Sequence, residues 1–342
     1  MVTCATNPGP STAYDDKIKY QFHSLGRKAL LTHSRPTSLA KGSGFMKVFV
    51  VQEGLTPTTA YNEAGMTRQV INIFPDELEE FRSKTRERNY LLIDVRQPGE
   101  FAEGHIPGAQ LIPLPEIEKR AAELDGEKNL ILYCRTGGRS AVAAALIKDA
   151  GPRDGMLYNL VGGITGWEGT GLKDIPHLEL FPRDMALNQT LYRAMNMEKG
   201  AWLFYNDLTR EYAGTELGDM VKDLGGKEEV HARSIFTFWK KNSPAPITDS
   251  FEVTFERLDG RIMEGGKPIS AWMARLGKDP EDRMLRLLEL ACEIEYYAYD
   301  LYRGLAKRDR DAEAAQTYLL LAEQEKAHVR VITKALDRFF GE

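Results

Sequence analysis

The sequence predicts an α/β region followed by an all-α region: a parallel five-stranded sheet with flanking helices, and then a four-helix bundle. In the first half, short apolar runs alternate with helical patterns, which is typical of parallel strands joined by right-handed crossover helices. In the second half, a set of glutamate, tyrosine and histidine positions recurs at a constant offset of 97 residues. A constant offset indicates two copies of one helical hairpin, and two hairpins build a four-helix bundle.

Composition limits the class of protein. The chain has 342 residues, of which 42% are hydrophobic, and this is sufficient for two sizeable cores. A net charge of −5 gives no basic surface for nucleic acid, and we find no apolar run that predicts a membrane span. The scattered cysteines Cys4, Cys134 and Cys292 form no disulfide framework. We therefore expect a reducing compartment, the cytoplasm.

Three segments are predicted along the chain. Residues 1–62 are rich in Ser, Thr, Pro and Gly without sustained periodicity, so we interpret them as a loose extension. Their excess of Lys and Arg over acidic residues leaves a targeting peptide open as an alternative. Residues 63–175 form the predicted α/β domain, and residues 176–342 form the predicted bundle.

A cysteine-containing loop follows the fourth of the five apolar runs. These runs predict strands near residues 70–74, 91–95, 111–114, 130–133 and 157–161. Cys134 opens the loop, and Gly137 and Gly138 let its backbone curl so that several N–H groups point inward. Together with the N-terminus of the next helix, this makes an anion-binding nest. The nest, the helix dipole and Arg135 or Arg139 are expected to lower the pKa of Cys134 and favour its nucleophilic thiolate.

Four motifs occur in a specific order: Leu91–Arg96, Glu103–Ala109, the loop from Cys134 to Arg139, and Val161–Trp167. In this order they resemble a rhodanese domain, a persulfide-forming sulfurtransferase, over residues 66–172. The resemblance implies that Cys134 carries the sulfane sulfur and that Asp94 and His105 mainly shape the fold. It also implies that the loop holds the bound sulfur and an anionic donor through Arg135, Thr136, Gly137, Gly138 and Arg139.

Protein phosphatases of this fold also use a loop cysteine, so phosphatase chemistry is the alternative to sulfur transfer. Their loop follows a C-x5-R pattern that is long enough to hold a phosphate. Here Cys134 to Arg139 is C-x4-R, and the shorter loop favours sulfur.

The repeated residues of the second half have the pattern of metal ligands. Glu198, Tyr205, Glu228 and His231 recur as Glu295, Tyr302, Glu325 and His328. Each Glu-x-x-His pair lies on one helix face, one turn apart. Turns predicted near positions 213 and 310 bring the carboxylates of each hairpin to one level, about 22 Å from its tip. Because their neighbours are apolar, unpaired carboxylates would be too costly there, and metal binding is favoured.

From about Phe181 onward, the chain resembles the rubrerythrin branch of the ferritin-like proteins. The resemblance implies a dinuclear iron centre that reduces peroxide, lined by Tyr205 and Tyr302. Its implied ligands are Glu198, Glu228, His231, Glu295, Glu325 and His328. Carboxylate and imidazole ligands suit iron and manganese about equally, so two iron ions or an Fe/Mn pair are expected. Rubrerythrins usually have a further glutamate where this chain has Ala298, and the chain has no C-x-x-C module.

The functional expectation combines both halves. A sulfurtransferase acting through a persulfide on Cys134 is joined to a dinuclear iron bundle of the peroxidase type, in sulfur metabolism or peroxide defence. The expected partners are a small sulfur donor, a thiol acceptor, an external electron donor and a second copy in a homodimer, with no nucleic acid and no membrane. The alternative is a sulfur carrier joined to an iron-binding or iron-storage module without peroxidase turnover.

The sequence also supports three local predictions. Gly225 and Gly226 cost a helix interior about 2 kcal/mol, so the second bundle helix is expected to kink or begin there. The segment 241–270 is predicted as a long crossover with a small hairpin. Cys292 is either a small core residue or a thiol beside the metal.

Overall fold

The structure is a computed structural model that describes residues 69–340, except residues 168, 170, 174, 175, 278 and 279. The predicted extension, residues 1–62, and Cys4 lie outside the described residues. Among the described residues, every helix is too short or too polar to traverse a lipid bilayer.

A five-stranded parallel sheet forms the first half, as predicted. Its strands are β1 (Ile71–Ile73), β2 (Tyr90–Asp94), β3 (Ala109–Leu111), β4 (Asn129–Tyr133) and β5 (Leu157–Leu160), in the order β1-β5-β4-β2-β3. β4 lies at the centre, where Ile131 pairs with Leu92 on one side and Tyr158 on the other. From Leu130 to Tyr133 every residue of β4 is buried, which explains why the strand is an unbroken apolar run.

The third strand lies two residues earlier than predicted. The apolar run 111–114 suggested a strand there, but β3 ends at Leu111. The Ile112 N–H then donates to the carbonyl of Asp94, and Pro113 has no N–H with which to continue the ladder. Ile112 is nevertheless fully buried, so burial rather than strand pairing accounts for the apolar pattern.

Five helices flank the sheet and cover both of its faces. They are α1 (Pro75–Lys84), α2 (Pro98–Glu103), α3 (Leu114–Arg120), α4 (Gly138–Asp149) and α5 (Gly163–Gly166). Two apolar clusters lie against the sheet, one including Ile93 and Leu132 and the other including Leu92 and Ile131. Because side chains alternate along a strand, consecutive residues of β2 and β4 supply opposite clusters.

Four long helices form the second half, also as predicted. They are α6 (Leu187–Glu211), α7 (Glu216–Asn242), α10 (Pro280–Arg308) and α11 (Ala312–Phe340). The pairs α6–α7 and α10–α11 are hairpins whose turns lie at the predicted midpoints. The crossover between them contains α8 (Phe251–Arg257) and α9 (Ile269–Arg275). In place of the expected small hairpin, the described crossover has a single bridge between Ile262 and Pro268.

The expectation of a break at Gly225 and Gly226 is wrong, because α7 runs unbroken through both residues. A Cβ atom on Gly225 would lie 3.2 Å from the Cβ of Tyr205 on α6. Contacts this short are rare between real Cβ atoms, so glycine lets α7 approach α6 closely at this level. The cost in helix propensity is offset by this packing.

The described residues belong to one compact unit in which the α/β half packs against the bundle. His105, after α2, lies 3.0 Å from Asp300 of α10, and the N–H of Gly108 donates to the same carboxylate at 2.6 Å. His105 is also stacked on Phe101. A Cβ on Gly108 would clash with Tyr299, so glycine is needed for this contact. The described residues of the α/β half and of the bundle therefore pack directly against each other.

A buried carboxylate joins the two halves more strongly. Glu87, in a short 3-10 turn before β2, is 1% exposed and accepts hydrogen bonds from Arg303 of α10 and Lys326 of α11. Tyr90 and Tyr299 also donate to it, at 2.7 and 3.0 Å. Burial raises the pKa of Glu87, but the charges of Arg303 and Lys326 outweigh burial and lower it to about 2.

Glu87→Gln should destabilise the protein by about 3–5 kcal/mol at pH 7, because Arg303 and Lys326 would remain buried without their anion. Since the pKa of Glu87 is lowered from 4.5 to about 2 on folding, its contribution is present above pH 4.5 and is lost as the pH falls toward 2. Urea unfolding at several pH values measures both effects. Glu80→Gln, at an exposed ion pair with Lys84, is the matched control. Equal stability of Glu87→Gln and wild type at pH 7 would contradict this role.

Candidate functional sites

Cys134 lies between the end of β4 and the start of α4, where only 1% of the residue is exposed. The Gly137 N–H donates to its sulfur at 3.1 Å, and the Ser140 hydroxyl lies 3.6 Å away. Burial alone would raise the pKa of Cys134. Hydrogen bonds from the backbone of Ser140, Thr136 and Gly137 and from the Ser140 hydroxyl outweigh burial, so the pKa is lowered. The loop thus stabilises a thiolate.

Two glycines allow this loop to form. Gly137 has φ +101°, and a Cβ there would lie 3.1 Å from the carbonyl oxygen of Leu160. Gly163 has φ +56°, and a Cβ there would lie 2.4 Å from the carbonyl oxygen of Cys134. The next residue, Ile164, donates its N–H to that same carbonyl at 2.9 Å. The segment Val161–Trp167 therefore fixes the backbone of the cysteine loop.

The two loop arginines have different surroundings. Arg139 donates two hydrogen bonds to Glu100, at 2.8 and 2.7 Å, and the hydrogen bond from Arg139 is the main cause that lowers the pKa of Glu100 to about 2. The charge of Cys134 also acts on Arg139. Arg135 is exposed, and its carbonyl accepts the N–H of Thr165 at 3.1 Å. N–H groups and a hydroxyl, rather than these arginines, chiefly lower the pKa of Cys134.

Ser140 is a site residue that the sequence analysis missed. It is fully buried, and its hydroxyl lies within reach of Cys134, of the Gly137 carbonyl at 3.0 Å and of Asn159 at 2.7 Å. In the sequence, Ser140 appeared only as the first residue of a helical run. Its position in the first turn after a Gly-Gly pair is the signal that could have identified it, since side chains there can point toward the nest.

All six predicted ligand residues lie in the interior of the bundle, on its four long helices. Their exposed fractions are 0% for Glu198, 3% for Glu228, 1% for His231, 1% for Glu295, 0% for Glu325 and 6% for His328. One potential ligand atom from each of Glu228, His231, Glu325 and His328 lies within 4.8 Å of the other three. The two imidazole rings are stacked, with centroids 4.9 Å apart.

Glu198 and Glu295 join this group through the histidines. His231 Nδ1 lies 3.4 Å from Glu198 Oε2 and 3.0 Å from Glu325 Oε1. His328 Nδ1 lies 3.0 Å from Glu295 Oε2 and 3.2 Å from Glu325 Oε2. In each sequence repeat, therefore, the histidine of the second helix faces the glutamate of the first.

The two predicted tyrosines connect the repeats to each other. The Tyr205 hydroxyl donates to Glu295 at 2.8 Å, and the Tyr302 hydroxyl donates to Glu198. Both tyrosines are buried, so each holds one carboxylate oxygen of the other repeat. The two hairpins that repeat in the sequence therefore make reciprocal contacts in the structure.

Several carboxylate oxygens of the cluster receive no hydrogen bond from the described residues. Among the described residues, Glu198 Oε2, Glu228 Oε1 and both oxygens of Glu325 are buried without a hydrogen-bond partner. His231 Nδ1 also makes none, although carboxylate oxygens are near. Unpartnered buried carboxylates are costly, and carboxylate with imidazole is the donor set of iron and manganese sites. The residues present therefore fit a dinuclear metal group.

The pKa shifts in the cluster also indicate that it needs positive charge. Burial, and then the charge of Glu295, raises the pKa of Glu228. Burial also raises the pKa of Glu325, but the charges of His231 and His328 outweigh it and lower that pKa. Burial opposes protonation of His328, whereas its hydrogen bond with Glu295 and the nearby carboxylate of Glu325 raise its pKa to about 9. The cluster needs positive charge, from protons or from metal ions.

A further acidic residue, Glu264 of the crossover, was not predicted. It is 1% exposed, and burial followed by the charge of Glu198 raises its pKa. No periodic pattern in the sequence points to Glu264, because this residue lies outside both repeats. Cys292 is also buried; burial, and then the charge of Glu295, raises the pKa of its thiol to about 12. A thiol of this kind fits the core role among the two alternatives.

Comparison with known families gives two matches. The rhodanese-like domain family matches residues 75–170, and the rubrerythrin family matches residues 286–342. The second match begins at residue 286, within α10, and includes all of α11. The first hairpin, α6 and α7, lies outside it and carries the other copy of the repeated residues.

Three curated relatives resemble the α/β half. The uncharacterized protein YqhL of Bacillus subtilis is 43% identical over 91 residues, 27% of this chain and 69% of that protein. A sulfurtransferase of Allochromatium vinosum is 40% identical over 82 residues, 24% of this chain and 75% of that protein. A putative sulfur carrier protein of Bacillus subtilis, YrkF, is 39% identical over 93 residues, 27% of this chain and 49% of that protein.

Solved structures of the same kind also align with this half. A rhodanese-like domain protein from Staphylococcus aureus is 27% identical, covering 31% of this chain and 98% of its own, with a TM-score of 0.28. A rhodanese from E. coli, solved with anions, is 28% identical, covering 25% of this chain and 98% of its own, with a TM-score of 0.22.

Proposed function

The chain belongs to the rhodanese-like family through residues 75–170 and carries a rubrerythrin domain at residues 286–342, and we propose that it is a two-site enzyme. The first site transfers sulfane sulfur through a persulfide on Cys134. The second is a dinuclear iron centre of the peroxidase type in the bundle. The hydrogen bonds to the Cys134 sulfur are the main support for sulfur transfer. The buried carboxylate oxygens without hydrogen bonds are the main support for the metal centre.

The sulfur half follows a ping-pong course. The Cys134 thiolate attacks the outer sulfur of thiosulfate or of a small persulfide, a new S–S bond forms, and sulfite or a thiolate leaves with the electron pair of the broken bond. An acceptor thiolate or cyanide then attacks the outer sulfur and releases the Cys134 thiolate. Backbone N–H groups of Thr136, Gly137 and Ser140 stabilise the negative charge before and after each transfer.

The surroundings of Arg139 favour sulfur transfer over phosphate chemistry. Both ends of its guanidinium fork are bound to Glu100, at 2.8 and 2.7 Å. A phosphate would need that fork for itself. The similarity to the Allochromatium vinosum sulfurtransferase supports the same choice.

In the bundle, Glu198, Glu228, His231, Glu295, Glu325 and His328 would hold two iron ions. When bound, such ions supply the electrons that reduce peroxide to water, and an external donor restores them. The chain's own residues orient the ligands: Tyr205 and Tyr302 each hold one glutamate oxygen. Apolar side chains such as Phe204, Leu224 and Ala291 exclude bulk water.

A second candidate function is sulfur carriage without free turnover, combined with iron binding or storage. The deep burial of Cys134 and the similarity to the putative sulfur carrier YrkF favour it for the α/β half. In that case the acceptor would be a protein that docks at the loop. Turnover with small thiols separates the two candidates.

Cys134→Ser should abolish both persulfide formation from thiosulfate and thiocyanate formation from cyanide, because serine supplies no thiolate. Intact-protein mass spectrometry measures the added sulfur, and a thiocyanate assay measures turnover. Cys292→Ser is the matched control and should keep both activities, since burial raises the pKa of that thiol to about 12. Wild-type activity in Cys134→Ser would refute the assignment.

Glu325→Ala should lower the metal content of the chain from two ions to one or none, because both histidines lose their shared carboxylate. The metal-loaded variant should also be less stable than the metal-loaded wild type, since fewer bound ions stabilise its fold. Elemental analysis after anaerobic Fe(II) loading measures the first effect. Glu313→Ala, exposed on the same helix, should keep two ions. Two ions in Glu325→Ala would contradict the ligand set.

A further inference from the structure

Glu264 is a buried carboxylate whose contacts within the chain do not explain it. It lies in a short 3-10 turn, Glu264–Gly266, within the crossover between the two hairpins. Only 1% of it is exposed, and among the described residues neither carboxylate oxygen has a hydrogen-bond partner. A buried polar group without a partner is costly and rare in folded proteins. A proton or a cation must therefore neutralise this carboxylate.

The crossover backbone is built to bring this residue close to the bundle. Gly200 of α6 lies two residues after Glu198, and a Cβ on it would lie 3.0 Å from the carbonyl oxygens of both Gly260 and Ile262. Gly260, with φ +57°, would in turn place a Cβ 3.1 Å from the Gly200 N atom. Two glycines facing each other thus let the crossover backbone lie directly on α6, at the level of Glu198 along the helix.

The crossover makes a tight turn at Glu264–Gly266. Gly265 and Gly266 have φ +76° and +68°, which is the left-handed region that favours glycine. The Gly266 N–H donates to the carbonyl of Met263 at 3.1 Å, and the Met263 N–H donates to that of Lys267 at 3.0 Å. A Cβ on Gly265 would lie 3.1 Å from the Tyr297 ring on α10, two residues after Glu295. Glu264 is therefore held between α6 and α10.

The charges that act on Glu264 belong to the metal-binding cluster. Glu198, Glu325 and Glu295 all repel it, and its own charge acts on both Tyr205 and Tyr302. A carboxylate held near other carboxylates in an apolar interior is neutralised either by a proton or by a cation. A bound metal ion is the cation that this cluster already calls for.

We propose that Glu264 is a seventh protein ligand of the dinuclear metal centre, supplied by the crossover rather than by the four long helices. The assignment rests on the proposed metal centre and extends it. It gives the crossover a function, because a ligand from this segment ties the connection between the hairpins to the metal. Metal binding then stabilises the crossover as well as the four helices.

The test uses the full chain loaded anaerobically with Fe(II), with Glu264→Gln as the variant and Glu256→Gln as the control. Glu256 is an exposed glutamate of α8 in the same crossover. Iron per chain is measured by elemental analysis, and affinity by competition with a chelator. We expect Glu264→Gln to lose one ion or to bind one ion at least about tenfold more weakly, while Glu256→Gln matches wild type.

Thermal unfolding with and without iron separates a ligand from a merely structural residue. Removing an unpartnered carboxylate should raise the melting temperature of the metal-free protein and lower that of the iron-loaded protein. Glu264→Asp, which keeps the carboxylate, should bind iron more tightly than Glu264→Gln and stays informative if the glutamine variant fails to fold. Unchanged iron affinity in Glu264→Gln, or equal losses of melting temperature in both states, would overturn the proposal. A wild-type chain that binds no iron would instead overturn the metal centre itself.

Discussion

The buried carboxylates of the bundle impose the constraint on which the rest of this half depends. Glu198, Glu228, Glu295 and Glu325 lie at one level of an apolar interior, with two histidines as their nearest cations. Such a cluster is unstable unless positive charge enters it, so the fold must hold the carboxylates in place and exclude water around them. The tyrosine contacts between hairpins and the close approach of α7 to α6 at Gly225 both serve that purpose.

The same helices also fix the α/β half. Lys326, the residue after Glu325 on α11, donates to Glu87 near β2, while Glu325 itself faces the histidines. On α10, Asp300 binds His105 and Gly108, and Arg303 binds Glu87. One face of this helix pair therefore lines the cluster and another forms the buried ionic interface. A change at the cluster that shifts α10 or α11 would strain contacts close to β2 and α2.

Much of the architecture could be predicted from the sequence because its signals are periodic or local. The constant offset between Glu198 and Glu295 revealed the paired hairpins, and apolar runs such as Leu130–Tyr133 revealed the buried parallel strands. β3 was misplaced because Ile112 is buried without belonging to a strand. The break expected at Gly225 did not occur because tertiary packing outweighs helix propensity there. Roles for the predicted site residues remain predictions, although the structure places the predicted metal ligands in one buried cluster.

Long-range pairings outside the repeat could not be predicted, since no pattern in one stretch of sequence indicates its distant partner. Glu87 is isolated in the sequence, and only the fold brings Arg303 and Lys326 to it. Ser140 and Glu264 were missed for a similar reason. Neither belongs to a repeat, and only the fold shows that each is buried near groups on other elements. Likewise, Arg139 binds Glu100 because α2 lies against the cysteine loop, a contact that the loop motif does not reveal.

If the buried cluster is a dinuclear metal centre, anomalous X-ray diffraction at the iron edge will show the ions in crystals of the protein loaded anaerobically with Fe(II). We expect two peaks, about 3.5–4 Å apart, between α6, α7, α10 and α11 and beside Glu228, His231, Glu325 and His328. Anomalous density confined to the protein surface, or no density between these helices in iron-loaded crystals, would contradict it.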